Sequence, residues 1–173
     1  MGPGSRFALL FLALMVCGVR TGNGFLNRRQ FCGDVKTRVN AVGVRFQGVW
    51  IEYAESVYRT RRVKESCSFS GALGSDSVFE KIRLIGEYYD ALNDIGAEIS
   101  QNENQVHELV VSAGKQCGFW LSFTPISAHV RSETTHKLDH AEAIIRKMEE
   151  LSLKAKQYEN EAQMHKCELD SLH

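Results

Sequence analysis

Apolar residues recur three and four positions apart along three long stretches of the chain, and none of these stretches shows the period of two that a strand requires. In the first, Val35, Val39, Val42, Phe46, Val49 and Tyr53 carry the repeat, and Trp50 and Val57 widen it. A stripe of that width suits a helix that packs against two neighbours at once. In the second, Val78, Ile82, Ile85, Tyr89, Leu92, Ile95, Ile99, Val106, Leu109 and Ala113 form the seam. Asn102 occupies a core-phase position, and the spacing slips by one between Leu92 and Ile95. Two readings of Asn102 follow: burial that sets register at some cost in stability, or half-exposure at a local stammer. In the third, Leu138, Ala141, Ile145, Met148, Leu151, Ala155, Tyr158, Ala162, His165, Leu169 and Leu172 repeat in the same way. The pattern predicts an all-α fold, an elongated antiparallel three-helix bundle of coiled-coil character, with helices over about 28–66, 77–113 and 125–172.

Local signals set the expected boundaries. Ser77 and Glu80 have the spacing of a capping box for the second helix, after the turn-like run Gly71 to Asp76. Thr124-Pro125 is the expected start of the third, with proline in the first helical position. Gly43 and Gly48 interrupt the first helix at about 1 kcal/mol each relative to alanine. They predict either a close approach by a neighbour or a kink.

The segment before the first seam is of another kind. Arg6 precedes an unbroken apolar run from Phe7 to Val16, and small residues follow. That order is the one a cleaved signal peptide shows, and ten apolar residues are too few to span a bilayer. Residues 1–24 are therefore expected to be a leader, with 25–173 as a single domain. A lipoprotein box at Leu14 to Cys17 is the rival reading, and the bulky Val16 disfavours it.

Removing the leader changes the cysteine count from five to four. An even number in an exported chain points to disulfides, and the wide spacing argues against zinc. At about 1.5 Å per residue, Cys32 and Cys67 stand roughly 50 Å apart on one helix, whereas a disulfide needs α-carbons within about 7 Å. Folding the three helices up, down and up brings Cys32 to Cys117 and Cys67 to Cys167. Two disulfides with those pairings are expected.

Charge adds little. The 21 Lys and Arg balance the 21 Asp and Glu, and loss of Arg6 and Arg20 with the leader leaves 19 against 21. No global field draws nucleic acid. The charged residues of the third stretch read as a solvated face supported by helical pairs. His136 and His140 lie one turn apart with Glu133 before them and His129 further back. The sequence His136-Lys-Leu-Asp-His140 lacks the glutamate that follows the first histidine in zinc proteases, so a solvated face is again expected and no metal.

Two places could make contacts. Arg59, Arg61, Arg62 and Lys64 cluster at the end of the first helix, where cations also offset the helix dipole. At the other end Phe119, Trp120, Leu121 and Phe123 sit in a connection, where large apolar residues are unusual. No nucleophile, phosphate-binding or dinucleotide motif is present, no asparagine has a glycosylation sequence, and no cofactor is expected.

In its long helices and its cysteines near the helix ends, over about Phe31 to Leu172, the chain resembles the ectodomains of trypanosome surface glycoproteins. The resemblance lies in architecture, and it carries over no functional residue. It implies a surface receptor or coat protein, contacting a protein or other macromolecular ligand at a bundle tip, with a membrane involved only if an anchor lies outside this chain. The expected function is accordingly a non-enzymatic secreted or cell-surface binding protein. A secreted carrier of lipid or another apolar ligand, and a coiled-coil structural protein that oligomerises, are the alternatives.

Overall fold

The computed structural model describes residues 4–67, 76–117 and 125–171, with side chains from residue 28 onward. Helix α1 spans Gly4–Cys67, α2 spans Asp76–Lys115 and α3 spans Ala128–Asp170, and the three pack against one another. No strand occurs among the described residues. The all-helical fold expected from the seams is present. Helix α1 begins at Gly4 and runs through the expected leader boundary at residue 24, earlier than the start near 28 that the seam predicts.

The chain divides into two compact units. The first combines Met1–Ala41 with Glu108–His140. Among its described residues Val35, Ala113 and Leu138 are buried, with Phe31, Val39 and Cys117 packed around them. A Cys32–Cys117 disulfide ties α1 to the end of α2 across 85 residues, with the α-carbons 5.5 Å apart. Arg28 donates to the Gln116 carbonyl at 2.6 Å, Arg38 pairs with Asp139 at 2.6 Å, and Lys137 donates to Ser112. The Arg131 guanidinium lies over the Phe31 ring.

The second unit combines Val42–His107 with Ala141–His173. Here Ile85, Leu92, Ile99, Ile145 and Met148 are fully buried. Along α1 and α3 the partner numbers rise together, Arg45 with Glu149, Glu52 with Ser152 and Arg59 with Glu159. Against α2 they fall: Lys147 with Glu98, Tyr158 with Tyr88 and Glu168 with Lys81. Asn102 is buried between Ile99 and Val106, which decides between its two readings in favour of burial.

Several expected details differ. The second bridge is not formed: Cys67 and Cys167 both carry free thiols. Cys67 faces inward, packed with Val63, Val78, Ile85, Ala162 and Leu169. Cys167 is two residues from the buried Leu169, about 200° round the helix at 3.6 residues per turn, and is therefore exposed. Ser77 lies inside α2, and both carboxylate oxygens of Glu80 bond Arg83, so the expected capping box does not form. A charge-assisted pair one turn along outcompetes the cap. At α3 the capping group is Ser127, whose hydroxyl accepts from the Val130 N–H at 3.2 Å, so the helix starts three residues after Pro125.

The glycines separate by environment. A Cβ on Gly43 or Gly48 would meet nothing within 4 Å, which removes the close approach expected there. Gly96 is the glycine that an approach requires. The Tyr53 hydroxyl donates to the Leu92 carbonyl at 3.0 Å, and a Cβ on Gly96 would lie 2.0 Å from that hydroxyl. Glycine here lets a tyrosine from α1 reach the α2 backbone. Gly96→Ala should therefore destabilise by about 1–3 kcal/mol through overpacking, whereas Gly43→Ala and Gly48→Ala should each stabilise by about 0.5–1 kcal/mol through helix propensity. Urea denaturation of the three variants checks both signs, and Tyr53→Phe should recover part of the Gly96→Ala loss.

Candidate functional site

In helix α1 the apolar seam changes character after Tyr53. Its buried positions become Ser56, Thr60, Val63 and Cys67, and α3 supplies Ser152 and Glu159 to the same unit. Glu159 is the centre of this polar section. Its Oε2 accepts from the Ser56 hydroxyl at 3.0 Å and the Lys156 ammonium at 2.7 Å, and its Oε1 accepts from Arg59 at 3.3 Å. Burial pushes the Glu159 carboxyl up, but the donors from Lys156, Ser56 and Arg59 together outweigh it and hold its pKa below the ordinary value.

Beside Glu159 the surfaces of α1 and α3 form an open groove of about 360 Å³. Tyr58, Arg59, Arg62, Val63 and Ser66 line it from α1, and Glu159, Gln163 and Lys166 from α3. Arg59 spans Glu55 and Glu159. Lys166 pairs with Asp170 at 2.7 Å, which raises its pKa. Arg62 stands over the Tyr58 ring, 6.0 Å from its centre.

The cluster of four cations expected at this end is thus divided by the helix. At about 100° per residue, Arg59 and Arg62 share a face, Arg61 is turned away from it, and Lys64 faces another neighbour. Arg61 bonds Glu65 at 2.8 Å on the exposed side of its own helix, which raises its pKa. Lys64 lies 4.6 Å from the centre of the Tyr89 ring and 3.8 Å from Asp90, both on α2. Only Arg59 and Arg62 reach the groove. Phe119, Trp120, Leu121 and Phe123 lie outside the described residues. Sequence reasoning missed Tyr58, Ser66, Glu159, Gln163 and Lys166. Gln163 and Lys166 are one turn apart on α3, a visible signal, but their α1 partners depend on a register that one sequence does not specify.

His129, His136 and His140 are exposed, and Glu133 bonds Lys137 at 2.6 Å, which holds the Glu133 carboxyl low. No group of three or more His, Cys, Asp or Glu side chains suited to a metal occurs among the described residues. No described helix is long and apolar enough to cross a membrane. Comparison with family models, curated proteins and solved structures gave no match.

The lowered Glu159 pKa makes a pH-dependent contribution to stability. It is fully present above the ordinary glutamate value of 4.5 and is lost as pH falls through the lower folded-state value. Glu159→Gln should cost about 1–3 kcal/mol near neutral pH. The gap from wild type should narrow as pH drops below 4.5. Urea unfolding of both proteins across that range measures it, and a gap constant with pH would contradict the assignment.

Proposed function

We propose that this chain is a non-enzymatic, exported binding protein, secreted or held at a cell surface, whose helices run up, down and up as an antiparallel bundle. The observation that carries the reading is the Cys32–Cys117 disulfide, together with the leader-like run that precedes it. Disulfides persist in oxidising compartments and are rare in the cytosol. The opposed numbering of contacts with α2 in each unit supports the antiparallel course: Cys32 with Cys117 in one, Tyr53 with Leu92 in the other. The resemblance to trypanosome surface glycoproteins belongs to the same proposal, as does contact with a macromolecular ligand through a helix face or a bundle end.

A second reading has its own support. Val44, Ile51 and Tyr58 are exposed large hydrophobics on α1 at intervals of seven residues. That is the repeat by which helices of two copies mesh, so a structural, self-associating protein is the alternative. Sedimentation distinguishes the two, because Ile51→Lys should dissolve any such assembly and leave a monomeric binder unaffected.

Expression in a eukaryotic secretory host tests the leading proposal. The chain should appear in the medium with a new N-terminus between Gly18 and Gly24 and with Cys32 and Cys117 oxidised. Retention in the cytosol with the leader intact would overturn it.

A further inference from the structure

We propose that the groove between α1 and α3 binds a ligand presenting clustered phosphate or sulfate oxygens, an inference that rests on the reading of the chain as a binding protein. The groove receives three cations, Arg59, Arg62 and Lys166, against one carboxylate, Glu159. That carboxylate is already occupied by Ser56, Lys156 and Arg59. Arg59 is shared between Glu55 and Glu159 and Lys166 is paired with Asp170, so the charge the groove leaves to a ligand is chiefly that of Arg62, in a chain whose overall charge is balanced.

The donors point to oxyanions rather than to a single small anion. Arg62 has no carboxylate partner among the described residues, and its planar fork suits bidentate contact with a phosphate or sulfate. Lys166 commits one contact to Asp170, and an ammonium has three donors. They approach from two different helices, so a ligand with two anionic groups can engage both. Tyr58 is 61% exposed beside Arg62, a surface on which a sugar or other ring can rest. The groove, about 360 Å³, is open to solvent, so a ligand would lie along it with one side in water.

Calorimetric titration of the purified chain with inorganic tripolyphosphate and with sucrose octasulfate tests the site and separates the two sources of oxyanion. At least one probe should bind in the submillimolar range, weakening as salt is raised. Arg62→Gln and Lys166→Gln should each weaken binding about tenfold, the loss expected for one charge-assisted contact. Arg61→Gln, which alters the same net charge outside the groove, should change it less than about twofold. Circular dichroism should show unchanged helix in all three variants, because these side chains are on the surface. Absence of binding by both probes would overturn the proposal, as would equal losses in Arg61→Gln and Arg62→Gln, which would mean diffuse attraction. Retention of the chain in the cytosol would defeat the export reading and leave this titration standing, so the two failures are distinguishable.

Discussion

The covalent link between Cys32 and Cys117 ties α1 to the end of α2 whatever the packing around it. In the unit that contains it, Val35, Ala113 and Leu138, with Phe31, Val39 and Cys117 around them, form an apolar cluster among the described residues. A bridge across 85 residues restricts the unfolded chain and typically contributes about 2–4 kcal/mol. The Arg38–Asp139 pair is exposed and adds little in water, whereas the buried Arg28 bonds the Gln116 carbonyl beside the bridge. The sulfur bond thus fixes which residues of α1 and α2 are neighbours at this point.

The second unit is held differently. Ile85, Leu92, Ile99, Ile145 and Met148 are fully buried in it, and its buried set turns polar where Ser56, Thr60, Ser152 and Glu159 enter. Most of these groups are satisfied, Ser56 by Glu159 and Ser152 by Glu52. Thr60 Oγ1 and Asn102 Nδ2 have no hydrogen-bond partner among the described residues. A buried polar atom left alone costs about 1–3 kcal/mol. The hydroxyls and the carboxylate allow fewer registers than a uniform leucine seam would, because sliding α1 along α3 would strand Glu159. The same carboxylate turns Arg59 toward the groove, so a packing device and a candidate binding surface share one residue.

Much of the fold was legible because heptad spacing is a direct consequence of helix geometry. Val35, Val42, Val49 and Tyr53 face inward as their spacing requires, and so do Leu138, Ala141, Ile145 and Met148. Cys32 and Cys117 were legible through reach alone. What failed depended on rotation about a helix axis and on which of two donors wins. Cys67 and Cys167 both belong to the second unit, yet one sulfur is buried in the core and the other is exposed to water. Arg59, Arg61, Arg62 and Lys64 form one cluster in sequence and three environments in space. Ser77 and Glu80 had cap spacing, but Arg83 took the carboxylate. Gly96 carried no signal, because its role is defined by a tyrosine more than forty residues earlier.

Mass spectrometry of non-reduced peptides, after alkylation of the denatured chain, tests the central claim most directly. The account predicts one peptide pair joined through Cys32 and Cys117, with the alkyl label on both Cys67 and Cys167. A peptide joining Cys32 to Cys67, or label on Cys32 and Cys117 in native material, would contradict it.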